Sequence, residues 1–478
     1  MSPNRRHMIL GAAQWWPGGE HITAWRRPDA QPEAFLDLEY YVDWAKTAER
    51  GMFDTLFLAD ELYVWDRFDS GVEYSSNVRP EPFTLLGALA AVTERIGLAA
   101  TVSTTYNEPY HTARRVASLD FLSKGRAGWN LVTSASDEEA RNFGRDRNVD
   151  HATRYERGRE FVDVVRGLWD SWDDDALVHD KASGRFADPA KLHTLDHRGK
   201  HFTVRGPLNI ARPPQGHPLL FQAGASEAGR DLAAATADAV FTLTGPVDRL
   251  RDFYTDVKRR AAGYGRSPQD IKVLPMLIPV IGATEEEARA KADELYELTP
   301  ETLALDLLSH YLEMDLTGRG LDEALDFTPD VDATNQSKSV YERVAHIAAD
   351  RSVTLGEIYR HLFDERVRYG TPEQIADYMQ ESFESDAADG FLVMAAYLPA
   401  GLHEFVDLVV PLLQKRGLFR TQYQESTLRG HLGLERPDSS YSGGTGTVAD
   451  GPVPTKNTLA ETSPLPPQHR TYTSRGAS

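Results

Sequence analysis

Polar residues that can hydrogen-bond a ligand follow a strand-like segment in the first third of the chain. Ala127–Val132 has the composition of a buried strand, and Asn130, Thr133 and Ser134 lie at or just past its C-terminal end. Parallel α/β folds bind their ligands at this end of their strands. The pattern therefore predicts a ligand site at the carboxyl end of this strand.

A helix start with two aromatic side chains follows. Asp150 is placed to cap the helix, and His151 and Tyr155 stand four positions apart in its first turns. Residues four apart lie on the same helical face. We therefore predict that His151 and Tyr155 face one ligand.

The segment from Phe221 to Gly229 has the composition of a phosphate-binding turn. Small residues let the backbone approach a phosphate, the helix that follows presents free N–H groups, and Ser226 adds a hydroxyl donor. The Gly-Lys-Ser/Thr ending of a P-loop is missing, because Arg230 follows Gly229. The segment predicts either a phosphate site or an ordinary strand-to-helix turn.

Three histidines at regular spacing suggest a metal site, which we reject. His193, His197 and His201 stand four apart, but Gly199 and a β-like alternation break the helix that would bring them onto one face. No His-Glu-x-x-His pattern accompanies them. We predict no metal site here.

A pair of acidic residues allows a hydrolase alternative. Asp60 and Glu61 end the second predicted strand and are candidates for half of a glycosidase carboxylate pair. The turn around Ser226 is better explained by a nucleotide-like cofactor. We therefore treat hydrolysis as the weaker interpretation.

Aromatic residues are concentrated after the first predicted strand, at Trp15, Trp16, His21 and Trp25. In a barrel this loop lies over the mouth, where aromatic side chains suit a flat ring system or an apolar substrate. Packing against the insertions is the alternative for each tryptophan.

The composition restricts partners and compartment. The 478 residues carry a formal net charge of -20, which argues against nucleic acid or an anionic membrane as partner. There is no cysteine, so redox chemistry requires a bound cofactor. No signal-peptide pattern follows Arg5 and Arg6, and no segment approaches the roughly 20 apolar residues of a membrane span. We predict a soluble, cytoplasmic protein.

Eight short apolar segments alternate with helical patterns, which predicts a parallel α/β sheet with right-handed crossovers. Eight repeats favour a closed (β/α)8 TIM barrel over an open doubly wound sheet. The predicted strands are Met8–Ala13, Asp54–Ala59, Ile96–Ser103, Ala127–Val132, Leu219–Ala223, Ala239–Thr242, Val273–Ile281 and Gly390–Ala395. Predicted helices between them include Phe35–Arg50, Pro82–Thr93, Thr112–Leu122 and Arg154–Trp172.

We predict one elaborated domain over residues 1–435. The intervals 173–217 and 283–370 are too long for simple connections and are predicted as insertions. The first contains a predicted hairpin over residues 197–209, and the second is predicted to be helical and polar. Residues 436–478 are rich in Ser, Gly, Thr and Pro without periodicity, which predicts a disordered tail.

Taken together, these residues resemble the FMN-dependent monooxygenases of the nitrilotriacetate monooxygenase component A and dibenzothiophene-sulfone monooxygenase group, in the bacterial-luciferase-like superfamily. The resemblance covers about residues 7–435 and consists of many matches in order. They are Ala24–Arg26, Glu49–Asp54, Phe57–Asp60, Thr104–Tyr110, Gly128–Ser134, Asn142–Gly144, His151 with Tyr155, Val204–Leu208, Gln222–Gly224 with Ser226, Thr427–Arg429 and His431–Leu434.

The resemblance implies a (β/α)8 barrel that binds reduced FMN at its C-terminal mouth. A separate NAD(P)H-dependent flavin reductase delivers the flavin, which reacts with O₂ to a C4a-(hydro)peroxyflavin that oxygenates a small organic molecule. His21 matches a histidine near the substrate and is the predicted catalytic residue; we also expect a homodimer or homotetramer. The implied FMN contacts are Asp60, Thr101, Asn130, His151, Tyr155 and Ser226.

Other functions and the substrate stay open on the sequence. A deazaflavin-dependent dehydrogenase of the same superfamily and a non-catalytic flavin-binding relative are the alternatives. The first-strand loop offers tryptophans with only Arg26 and Arg27 nearby, although Arg79 is a further candidate. Several buried carboxylates would need more cationic partners than this. We predict a substrate with a sizeable apolar or aromatic part and at most one or two charges.

Overall fold

The computed structural model describes residues 6–441 except 225, 313, 325–343, 345 and 348–352. Within them, eight parallel strands form a closed ring in which each pairs with its neighbours along the chain and the last pairs with the first. The predicted (β/α)8 barrel is therefore confirmed. The barrel strands are β1 Ile9–Gln14, β2 Thr55–Leu58, β3 Gly97–Ser103, β4 Ala127–Val132, β5 Leu219–Ala223, β6 Ala239–Thr242, β7 Lys272–Ile281 and β8 Gly390–Val393.

Helices follow the strands and cover the outside of the barrel. Those described are α1 Leu38–Arg50, α2 Asp69–Tyr74, α3 Pro82–Val92, α4 Pro109–Leu122, α5 Asp137–Asn142, α6 His151–Trp169, α7 Glu227–Thr236, α8 Val247–Gly263, α9 Glu285–Glu297, α10 Glu301–Leu312, α11 Leu355–Asp364, α12 Pro372–Glu384, α13 Ala400–Glu404, α14 Val410–Lys415 and α15 Leu428–His431. No described helix combines the length and the apolar character required to cross a membrane.

Strand residues alternate between the barrel interior and the helical layer, as the two-residue period of a strand requires. Phe57 lies inside, edge-on to Phe221 and Phe241 with ring centroids 5.6 and 5.3 Å away. Its neighbours Leu56 and Leu58 belong to the larger cluster under the helices. The interior is thus a packed core, so a ligand must bind above it, at the mouth.

The chain after the last barrel helix closes the opposite, N-terminal end. Leu428 packs so closely there that a Cβ on Gly97 would stand 2.4 Å from its Cδ1, which explains the glycine. Arg429 forms a bidentate ion pair with the buried Asp238, both bonds being 3.0 Å. One end of the barrel is therefore sealed, and the C-terminal mouth is left for function.

Both predicted insertions are present. The hairpin in the first is confirmed, with His197–Arg198 antiparallel to Thr203–Val204. The second is helical as predicted where it is described, but the expectation that it is polar is wrong. Its helices bury an apolar cluster of their own that also holds Trp65; the members include Leu303, Leu308, Leu312, Leu355 and Ile358. An insertion of this length needs such a core, because burial of apolar side chains must offset the conformational entropy that the segment loses on folding.

Ordered packing continues past the predicted boundary at residue 435. Arg436 binds Asp174, the Ser440 N–H donates to Asp170, and Tyr441 stacks on His193 with centroids 4.0 Å apart. Residues 436–441, which we predicted as the start of the tail, are therefore packed against the fold. Residues 442–478 lie outside the described residues.

Candidate active site

Polar side chains meet in a corner where α6 and α7 begin. Ser226 caps α7 by accepting from the Gly229 N–H at 3.0 Å, and its Oγ is 3.4 Å from the Tyr155 hydroxyl. The His151 ring lies 4.6 Å from the Tyr155 ring. Asp150 caps α6 through the Thr153 N–H, as predicted. The structure thus brings together three of the predicted residues, with two hydroxyls beside free helix N–H groups.

A second polar group lies inside the ends of β2, β3 and β4. Thr101 and Asn130 are paired in the sheet register, the Asn130 amide donates to Thr101 Oγ at 3.0 Å, and Thr101 donates to the Leu58 carbonyl. Asn130 Oδ1 is buried and has no hydrogen-bond partner among the described residues. Buried polar atoms are nearly always paired, so this oxygen fits a ligand donor.

Residues beyond the predictions complete these two groups. Gln222 donates to the Gly229 carbonyl at 3.2 Å, while its buried Oε1 has no partner in the described chain. The buried Arg154 donates to the carbonyl of Ser134, whose φ of 52° is uncommon for a residue with a side chain. Gln222 lies in the Phe221–Gly229 segment and Arg154 directly precedes Tyr155. The sequence therefore indicates their position near the site but not their hydrogen bonds.

Three carboxyl groups lie in this region: Asp60 and Glu61, which are half-buried, just after β2, and Glu139, which is buried, on α5. Burial raises the pKa of Asp60 to about 6, although Arg79 opposes the shift. Burial likewise raises the pKa of Glu61 and of Glu139. Glu139, which the sequence reasoning missed, accepts from the Leu62 N–H.

The pKa of Asp60 leads to a prediction about stability. A carboxyl whose pKa is raised on folding binds its proton more tightly when folded, so its contribution to stability falls as the pH rises from about 4 to about 6. Asparagine cannot ionise, so Asp60→Asn should be stabilised relative to the wild type at pH 8. We expect this gain in the free energy of unfolding to be about 1 to 3 kcal/mol larger at pH 8 than at pH 4. Flavin-free thermal unfolding at both pH values measures this; an equal effect at both would refute it.

The predicted catalytic residue, His21, lies on the other side of the mouth. It follows β1, which stands opposite β5 in the eight-stranded ring. Its Nδ1 is 3.1 Å from Thr23 Oγ, its ring meets the Phe363 edge at 4.6 Å, and its buried Nε2 has no partner among the described residues. Burial, together with the nearby charge of Arg366, lowers the pKa of His21 to about 3. The imidazole is therefore neutral at physiological pH.

The tryptophans that follow β1 have different surroundings. Trp15 packs beside the barrel interior, and Arg79 lies over the Trp16 ring at 5.0 Å while donating to the Trp15 carbonyl. The indole of Trp25 instead donates to the Tyr74 carbonyl at 2.7 Å, so its role is packing. Two of the three tryptophans remain available to a ligand.

The three regularly spaced histidines lie in and around the hairpin and not on a helix. Each contacts a different carboxylate: His193 with Asp173 at 2.9 Å, His197 with Glu160 at 2.9 Å, and His201 with Glu156 at 3.5 Å. These pairs tie the first insertion to its surroundings. Among the described residues, no group of three acidic or histidine side chains is arranged to hold a metal ion.

These features define a class: a (β/α)8 barrel that groups polar side chains at its C-terminal mouth, where barrel enzymes bind their ligands. Residues 20–390 match the family of luciferase-like monooxygenases. The chain belongs to this family, as the sequence resemblance predicted.

Known proteins of similar sequence narrow the comparison. The chain is 47% identical to N-acetyl-S-(2-succino)cysteine monooxygenase of Bacillus subtilis over 89% of its length and 96% of that protein. It is 46% identical to nitrilotriacetate monooxygenase component A of Aminobacter aminovorans, with the same two shares covered. It is 44% identical to dibenzothiophene-sulfone monooxygenase of Rhodococcus erythropolis, covering 87% and 93%.

A solved structure supports the same assignment. Riboflavin lyase, in a complex with modified FMN and riboflavin, superimposes with a TM-score of 0.79 at 32% identity, covering 90% of this chain and 96% of that one. The chain is accordingly an oxidoreductase of the monooxygenase type.

Proposed function

We propose that this protein is the oxygenase of a two-component flavin-dependent monooxygenase. It takes reduced FMN from a separate NAD(P)H-dependent reductase in the cytoplasm and oxygenates a small organic molecule with O₂, as a homodimer or homotetramer. The observation that carries the proposal is the Tyr155 and Ser226 pair at the start of α7, because it suits a flavin phosphate in an otherwise acidic protein. Residues 1–435 would form the catalytic domain.

Each predicted FMN contact has chemistry that fits part of the cofactor. Ser226, Tyr155 and His151 would hold the phosphate through hydroxyl, imidazole and helix N–H donors. Asn130, kept in place by Thr101, offers its unpartnered oxygen to an N–H of the ring system. Asp60, with its raised pKa, would act as a neutral or singly charged partner on the β2 side.

Bound reduced flavin supplies the two electrons with which O₂ delivers one oxygen atom to the substrate and releases the other as water. His21 would assist from the opposite side of the mouth as a neutral imidazole, donating a hydrogen bond from Nε2 to a group on which negative charge develops. The helical insertion packs over His21 through Phe363 and excludes water from it. No protein side chain is required as a nucleophile.

The alternatives are not favoured, because the relatives at 44 to 47% identity carry names of monooxygenases. The test is a rapid-mixing experiment in which reduced FMN meets O₂ with and without one equivalent of protein. We expect the protein to change the rate of flavin reoxidation. Reoxidation at the free-flavin rate would contradict an FMN monooxygenase and favour the deazaflavin alternative, whereas flavin binding without product from any substrate would indicate a non-catalytic relative.

The structure strengthens the prediction about substrate charge. Arg27 pairs with Glu294 at 3.0 Å and Arg79 approaches Glu61 at 3.7 Å, so both already have carboxylate partners. A polycarboxylate would have to displace these partners and enter beside further buried carboxylates. We propose that the substrate is apolar or aromatic over much of its surface, with at most one or two charges.

Turnover of a substrate panel checks this proposal. Among aminopolycarboxylates, sulfones and heterocycles, we expect the best substrates to have an aromatic part. Trp16→Ala should raise their KM by roughly tenfold, because a stacking contact contributes about 1 kcal/mol or more. Trp25→Phe, which changes a packed tryptophan, is the control and should leave KM near the wild-type value. Efficient oxidation of a small polycarboxylate, undiminished in Trp16→Ala, would overturn the proposal.

A further inference from the structure

Hydroxyl groups connect His21 to the helical insertion: those of Thr23 and Tyr359 are buried and that of Thr299 is half-buried. Thr23 Oγ lies 3.1 Å from His21 Nδ1 and 3.3 Å from Thr299 Oγ, and the Tyr359 hydroxyl lies 3.5 Å from the same Thr299 oxygen. Thr23 is fully buried, and Tyr359, on α11, is only 7% exposed. A chain of three hydroxyls thus runs from α11 to the imidazole.

The hydroxyl of Tyr359 sets the direction of this chain. Within the described part of the chain, Thr299 is the hydrogen-bond partner of this phenol, and a buried O–H is stable only when it donates. Thr299 accepts from Tyr359, and Thr23 is the acceptor within reach of its single proton in the described part of the chain, so we assign Thr299 as the donor to Thr23. Thr23 in turn donates to His21 Nδ1. A neutral imidazole that accepts at Nδ1 carries its proton at Nε2.

We propose that Thr299 and Tyr359 are positioning residues that hold His21 in its Nε2–H tautomer. The inference rests on the proposed function for its catalytic meaning, since an Nε2–H is the form in which His21 can donate to a bound molecule. Nε2 has no hydrogen-bond partner among the described residues, so its N–H is left for a bound molecule. The second insertion therefore acts on the chemistry as well as covering the site.

Other contacts fix the insertion to the loop that carries His21. Arg366 forms an ion pair with Glu20, the residue before His21, and both side chains are largely buried. Phe363 presses its ring edge against the imidazole. The loop and α11 are thereby held together on both sides of the hydroxyl chain, so that its geometry is maintained without a ligand.

The test is nitrogen NMR of flavin-free protein labelled with ¹⁵N-histidine. In the wild type we expect His21 to show a protonated Nε2 and an unprotonated Nδ1, its signals being assigned by their loss in His21→Gln. Tyr359→Phe and Thr299→Val free the chain to run in either direction, so we expect the two tautomers to mix. Thr299→Ser keeps the hydroxyl and should restore the wild-type spectrum.

Tyr296→Phe is the matched control. Tyr296 packs 5.6 Å from the Tyr359 ring, but its hydroxyl donates to the Gly356 carbonyl at 3.2 Å, outside the chain. This variant should leave the His21 signals unchanged. A protonated Nδ1 in the wild type, or an unchanged spectrum in both Tyr359→Phe and Thr299→Val, would overturn the inference.

Kinetics separate this inference from the proposed function. If both hold, Tyr359→Phe should lower kcat for product roughly tenfold with little change in KM, as expected when a hydrogen-bond donor in the site is present in only part of the molecules. If the wild type oxygenates nothing while the spectra behave as described, the proposed function fails and the tautomer assignment stands. If the wild type oxygenates its substrate while the spectra of the variants do not change, only the present inference fails.

Discussion

Replacing Ser226 with aspartate is expected to lower the affinity for reduced FMN by roughly a thousandfold. A carboxylate at this position would stand about 4 Å from the flavin phosphate, where two like charges repel by about 4 kcal/mol at an effective dielectric constant of 20. Aspartate caps a helix as well as serine does and suits the positive helix end, so α7 should persist. Anaerobic titration of reduced FMN measures the loss.

Two variants show whether charge causes the effect. Ser226→Asn is a neutral cap of nearly the same shape and should lose much less affinity than Ser226→Asp. Ser267→Asp makes the same change at the cap of a short helix that precedes β7, at the other end of the barrel, and should bind as the wild type does. If Ser226→Asp binds reduced FMN normally, the phosphate lies elsewhere and the proposed cofactor site is wrong.

Removing the imidazole at His21 is expected to lower the rate of product formation by roughly a hundredfold or more, the range in which a positioned hydrogen-bond donor contributes. Flavin binding should be nearly unaffected, because His21 stands across the mouth from the Ser226 corner. His21→Ala should therefore still consume O₂ but release it as hydrogen peroxide. Product yield per NADH and peroxide release are the measurements.

The control for this variant is His431→Gln. His431 is also a buried histidine with a lowered pKa, but it bonds to the Arg95 carbonyl near the sealed end of the barrel. Glutamine can keep that hydrogen bond, so product yield should stay near wild type.

Because the pKa of His21 is about 3, its titration should leave no inflection in kcat between pH 5 and pH 8. Full product yield in His21→Ala would exclude a role for this residue.

The sequence determined the architecture to a large degree. All eight strands were predicted within two residues of their observed ends, and β4, β5 and β6 have the predicted bounds. Buried parallel strands are continuous apolar runs separated by helices, and this pattern is local enough to read directly. The cap at Asp150 was predicted for the same reason, since a cap bonds to a backbone group three residues away. Ser226 was predicted only as a phosphate donor, and its role as the cap of α7 came from the structure.

The site residues near Ser226 were also within reach of the sequence. Strands β4 and β5 are neighbours in the ring, and each is followed by one of the two helices whose first turns meet. Parallel strands place their carboxyl ends at the same edge, so their polar residues converge wherever the fold is a barrel. The grouping of His151, Tyr155 and Ser226 thus followed from topology.

Contacts between residues far apart in the chain were decided only by the tertiary structure. The pairing of Glu20 with Arg366 and the chain from His21 to Tyr359 exist because the insertion folds onto an apolar core of its own. The core of the second insertion was not recognised from its sequence, because polar residues cover its surface. The partners of Arg27 and Arg79 were hidden in the same way. Periodicity reports which face of an element is buried, but ion pairs and hydroxyl chains depend on side-chain positions that closure of the barrel and packing of the insertion set.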